Sequence, residues 1–184
     1  MDATNGTEPW GAARYGDPCR ECGYTWAGTA DQAVQAVSEA PGRFAAALVG
    51  TPEPLWHPEL GWSTAGYVRH VADNLETWAY HLDAARCDGR TVTSGYDPDR
   101  LAEARDYAHA TVGASLLALR RVVPGWVDAM SAALTEQVVL DHATRGAQRA
   151  DDVAQINAHG VRHHLHDVRR IVAHATARRP GLTP

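Results

Sequence analysis

The stretch 64–86 runs without proline, and Val68, Val71, Leu75, Trp78 and Leu82 recur along it at spacings of three and four. That period fits one face of an α-helix and no face of a strand. Such a helix cannot bury its stripe alone, so the rest of the chain must supply similar partners. It does so three times. Residues 29–50 carry Val34, Val37, Phe44 and Leu48 near helical spacing, with Pro41-Gly42 expected to kink or restart the helix. A third region begins at Asp97-Pro98 and extends to about Leu134, with interruptions near Gly113 and Pro124-Gly125. The last helix starts at a cap from Asp151 or Asp152 and ends near Arg178. Ser63 is placed to cap the second helix. The link over 141–150 is polar, and Gln137–Leu140 alternates too briefly to count as a strand. The expectation is an all-α four-helix bundle over 29–179 behind an irregular arm, 1–28. A chain of 184 residues suits one such core.

Composition excludes several functions. The net charge is -5 and no basic block occurs, so no nucleic-acid partner is expected. All 17 basic residues are arginine, which rules out lysine-based covalent chemistry. No run of about 18 apolar residues appears, and the N-terminus lacks a basic then apolar leader, so the expected setting is cytoplasmic, without membrane. No Gly-rich phosphate loop or G-x-S-x-G elbow is present. Cys19, Cys22 and Cys87 are too few, and odd in number, for a disulfide scaffold. Cys19-x-x-Cys22 is half of a zinc-ribbon ligand set, but no second C-x-x-C completes it, so it is read as local packing of the arm.

The chemistry concentrates in the last helix, where four of the ten histidines fall in His159–His166. At about 100° per residue, His159 and His163 stand one turn apart and can aim at one ion. The apolar stripe of Val153, Ile156, Val161, Leu165, Val168 and Ile171 centres closer to His164, so periodicity leaves His163 and His164 both open as the second ligand. His70 lies in the second helix, and facing helices of a bundle can share an internal metal site.

Two motifs carry a family resemblance. G-W-S-T-A-G-Y-V-R-H-V-A-D-N-L at 61–75 and H-G-V-R-H-H-L-H-D-V at 159–168 resemble the second-helix and last-helix motifs of the DinB-like superfamily, which includes YfiT-type proteins and mycothiol-dependent maleylpyruvate isomerases. C-R-E-C-G-Y-T-W at 19–26 is similar to the start of one actinobacterial branch. The resemblance implies a four-helix bundle of DinB/YfiT type, with His70, His159 and His163 as ligands to a divalent metal, zinc or nickel. It gives Asp73 a supporting role. Beside this triad, His166 and Asp167 are further supporting or acid/base candidates, and Arg162 and Trp62 are candidates for holding substrate. Three protein ligands would leave a position open for a thiol or water. The implied activity is a metal-dependent thiol S-transferase or isomerase acting on a small electrophile, with mycothiol as an example of the thiol. A metal-dependent hydrolase and a non-enzymatic, stress-associated metal module are the alternatives. A metal fully enclosed by four protein ligands, with His164 or His166 as the fourth and no adjacent cavity, would favour the non-enzymatic one. Bundles of this kind often pair through a helix face, so a homodimer is compatible with the sequence. Gly160 stands where many relatives carry an acidic residue, and His166-Asp167 where many have Gly-Gln.

Overall fold

The computed structural model describes residues 8–178. A short helix, α1 (Ala12–Tyr15), sits in the arm and is followed by turns through residue 22. The first bundle helix is split into α2 (Ala30–Ser38) and α3 (Ala40–Ala47), with Pro41 in the opening turn of α3. Proline needs no N–H donor there, so of the expected kink or restart the helix takes the restart. Thr29 and Gln32 form a reciprocal capping box at the start of α2.

Helix α4 (Thr64–Asp88) begins where Ser63 accepts a hydrogen bond from the Gly66 N–H at 3.0 Å, and stops at Gly89 in the left-handed conformation. The third region starts as α5 (Pro98–Ala104), capped by Asp97, then breaks at a single 3₁₀ turn over Tyr107–His109. It resumes as α6 (Val112–Thr135), capped by Thr111. The interruption expected near Gly113 is this break, which ends just before it, whereas the one expected at Pro124-Gly125 does not break α6. Gly113 lies in its first turn, and Pro124 lies inside the helix between Val123 and Trp126, which are both buried. Proline there forfeits a backbone hydrogen bond, and burial of its neighbours against the core offsets that loss. Helix α7 (Ala150–Ala177) is the longest element. The Asp152 carboxylate accepts from the Arg149 N–H at 2.9 Å, so Asp152 acts from the third helical position rather than as the cap itself.

The link before α7 is not irregular. Strands β2 (Val139–His142) and β3 (Gly146–Arg149) form an antiparallel hairpin, and β1 (Val92–Thr93) joins β2 in parallel. The brief alternation over 137–140 was therefore the edge of a real strand, in which Leu140 and His142 point inward. Trp126, Phe44, Leu75, Leu82, Leu119 and Leu165 fill the bundle centre. The small sheet closes one end of it, against Trp78 of α4.

Candidate metal centre

The arm carries the first half of the site. Residues 19–23 fold as a tight knuckle, in which the Gly23 N–H donates to the Cys19 carbonyl at 2.9 Å and the Cys19 N–H to the Tyr24 carbonyl at 2.7 Å. Gly23 takes a positive φ of 69°, a conformation that costs glycine little. Both thiols are buried. Burial, with Cys19 alongside, pushes the Cys22 thiol up to about 11.

Helix α7 carries the second half. The side chains of Cys19, Cys22, His159 and His163 offer ligand atoms that all lie within 4.8 Å of one another. Zinc bonds of about 2.0 Å to nitrogen and 2.3 Å to sulfur give a tetrahedron with edges of roughly 3.3–3.8 Å, so contraction by up to about 1.0–1.5 Å seats an ion. His163 Nδ1 is 4.0 Å from Cys19 Sγ, and its Nε2 is 3.4 Å from a Glu21 carboxylate oxygen. A carboxylate on the far nitrogen fixes the tautomer that leaves the near one free for a metal. His159 is buried, and its Nε2 has no hydrogen-bond partner. Tyr15 and Trp26 pack on its ring at centroid separations of 4.4 and 4.8 Å, and burial pushes its pKa down to about 4. Two thiols and two neutral imidazoles are a donor set that suits zinc, and four protein ligands close its coordination. Two further donors, on a helix about 140 positions away, stand where a second C-x-x-C would complete such a set, so the pair has candidate partners beyond the arm.

His70 is not part of this group. Its ring meets His164 edge-on at 4.9 Å and lies under Trp62 at 4.7 Å, and its Nδ1 is buried without a partner. Burial, aided by His164, holds its pKa down to about 3. His164 Nδ1 lies 3.1 Å from the buried Asp167 carboxylate, which orients the imidazole. The α7 histidines thus divide by face. His159 and His163 turn to the arm, and His164 turns to α4.

The other residues singled out in the sequence take different places. Asp73 is buried and accepts hydrogen bonds from Tyr107 Oη at 2.7 Å and Arg105 at 3.1 Å. Arg69 Nε stands 3.1 Å from Asp73 as an ion pair, without hydrogen-bond alignment. Arg162 Nε donates to the Cys22 carbonyl at 3.2 Å, so it braces the cysteine knuckle. Trp62 lines a separate cavity with Trp56, Ser63 and Tyr107. His166 is partly exposed on α7 and lines neither cavity.

A cavity of about 620 Å³ adjoins the metal centre. His159 belongs to both, and His70 and His164 also line the cavity. The arm forms one wall through Trp10, Tyr15 and Trp26, and the sheet another through His142. Inside, Tyr96 Oη donates to Asn74 Oδ1 at 3.1 Å, and Asn74 Nδ2 to Asn157 Oδ1 at 3.4 Å. Sequence reasoning missed this chamber because its polar lining comes from α4, α7, the arm and two loops.

The family model of the DinB superfamily matches residues 36–168. Cys19 and Cys22 lie N-terminal to the matched span. Among solved structures the chain is similar to YfiT from Bacillus subtilis, described as a probable metal-dependent hydrolase with an unusual four-helix bundle topology. The TM-score is 0.68 at 17% identity, over 80% of this chain and 87% of that one, a likeness of fold. No curated protein matches this chain.

Proposed function

The chain belongs to the DinB superfamily, and we propose that within it this protein holds a zinc ion through Cys19, Cys22, His159 and His163, buckling the arm over a chamber that receives a small molecule. The observation that carries the reading is the convergence of four ligand side chains, from two distant segments, within 4.8 Å. The bound ion would fix thiolate charge on the two cysteines and hold the knuckle to α7. His159 then serves twice, since its ring is both ligand and chamber wall. Across the chamber, His164 is oriented by Asp167, and His70 is held neutral by burial. Each presents a ring to a molecule seated there.

A second reading rests on that shared position of His159. If His70, His159 and His163 hold the metal without the cysteines, a coordination position opens toward the chamber. There a divalent metal supplies Lewis acidity to a thiol or water, as in a thiol S-transferase or a hydrolase.

Elemental analysis of purified variants separates the two. We expect one zinc per chain in the wild type and in His70→Ala, and less than about a tenth of that in Cys22→Ser and His159→Ala. Full metal in a Cys19→Ser/Cys22→Ser chain, with loss in His70→Ala, reverses the assignment to the three-histidine set. Assays of thiol addition to small electrophiles and of ester and amide hydrolysis then test the reaction, with far-UV circular dichroism as the check on folding.

A further inference from the structure

The electrostatics of the chamber identify a class of occupant. Among its described lining residues only Glu8, Arg14 and Arg145 carry formal charge. Glu8 is engaged by Arg14 in an ion pair and by Thr144 Oγ1 in a hydrogen bond at 3.1 Å. One positive charge is therefore left over, in a protein whose net charge is -5. That charge is Arg145, in the β2–β3 turn beside His142 and Thr144. Its Nε is buried with no hydrogen-bond partner, and no described carboxylate lies within ion-pairing distance of its guanidinium. A buried guanidinium donor without an acceptor is costly, and a ligand oxygen would supply what is missing. Around it the walls are aromatic, with Trp78 and Tyr96 from the bundle side and Trp10 and Trp26 from the arm. Arg69, Arg162 and Arg170, which flank the histidines in sequence, are engaged by Asp73, Cys22 and Glu59.

We propose that the chamber binds a small organic monoanion with an aromatic or apolar body, its acidic group docked on Arg145 and its body lying between the aromatic walls toward His70 and His164. The inference rests on the reading of this cavity as the substrate chamber, and it does not require the metal. A planar guanidinium fork suits a carboxylate or a sulfonate. At about 620 Å³ the space is of a size usual for small-molecule sites. Glu8 limits the charge that is tolerated, because it also lines the chamber, close enough for its carboxylate charge to interact with Arg145, and disfavours a dianion.

The test uses two fluorescent probes that differ by one sulfonate group, 8-anilinonaphthalene-1-sulfonate and its neutral parent N-phenyl-1-naphthylamine. We expect the wild-type full chain to bind the sulfonate more tightly than the neutral probe. Arg145→Gln should weaken the sulfonate by at least about tenfold and leave the neutral probe within about twofold, while Glu8→Gln should tighten the sulfonate by removing the competing carboxylate. Equal losses for both probes, indifference of the sulfonate to Arg145→Gln, or no binding of either probe overturns the proposal. Glu8→Gln keeps the test open should Arg145→Gln fail to fold, since no tightening there overturns it equally. Zinc content measured on the same samples tests the metal reading separately. A chain that lacks zinc but responds to Arg145→Gln refutes the metal centre alone, and one that holds zinc but ignores the substitution refutes the anion site alone.

Discussion

Acidification should destabilise this protein through His70, by an amount that the structure allows to be worked out. The imidazole is half-buried between Trp62 and His164, with a buried Nδ1 that no group partners. Desolvation, and secondarily the charge of His164, lower its pKa from 6.5 to about 3. The unfolded chain therefore takes up the proton first. The neutral-histidine contribution is whole above about pH 6.5 and is lost as the pH falls from there toward about 3. At pH 5.0 the folded imidazole is still neutral while the unfolded one is almost fully charged. Linkage then gives a loss of about 2 kcal/mol relative to pH 7.5 from this residue alone. His70→Gln removes the titration and keeps a neutral polar side chain. Urea unfolding followed by tryptophan fluorescence at pH 7.5 and 5.0 should show the wild type losing about 2 kcal/mol more than the variant, roughly 1 M in midpoint. Other groups titrate in both proteins and cancel in the difference. If the two proteins lose stability in parallel, within about 0.5 kcal/mol, the burial argument for His70 is wrong.

Zinc uptake by the chelator-stripped protein should strengthen steeply with pH above about 6, since the ion must displace the proton that burial holds on Cys22, whereas His159 is already neutral there; competition titrations between pH 6.5 and 8.5 would show it, and a flat profile would count against thiolate ligation. Chelation should free the arm, read as faster amide exchange over 10–26 with little change in the bundle centre. Asp73→Ala should cost about 2–3 kcal/mol in urea unfolding, because it strands Arg69, Arg105 and the Tyr107 hydroxyl, while zinc content stays whole. Gly160→Ala should stabilise by up to about 1 kcal/mol, because a Cβ there meets no atom within 4 Å and the position is mid-helix; thermal melts would reveal it.

The closed donor set changes the chemical expectation drawn from three histidines alone. A three-ligand metal offers an open position by construction, and a Cys₂His₂ set does not. On the proposed reading, metal binding lies toward the arm, with Cys19 and Cys22 in place of His70. The chamber keeps His70 and His164, side by side with Asp167 behind. Because His159 belongs to both, occupancy of one is expected to be felt in the other.

Sequence by itself determined the bundle. The spacing of Val68, Val71, Leu75, Trp78 and Leu82 admits one local structure, and Ser63, Asp97 and Thr111 cap helices through bonds made within three residues. Such features are local, so they are legible in one dimension. The histidine cluster was legible too, but the ranking from the wheel was not kept: His159 is buried and His164 only partly so, although His164 does face His70. The ligand set was not. Cys19 and Cys22 meet His159 and His163 only because the arm folds back across α7, held by Arg162 on the Cys22 carbonyl and by Gln155 on the Gly28 carbonyl at 2.7 Å. No periodicity encodes a contact between segments so far apart. The hairpin was equally hidden, since β2 is four residues long and is secured by pairing with β1 and β3 rather than by its own pattern. Tertiary structure decided which histidines stand beside the cysteines, which face the chamber, and that Arg145 lines it with no carboxylate at ion-pairing distance among the described residues.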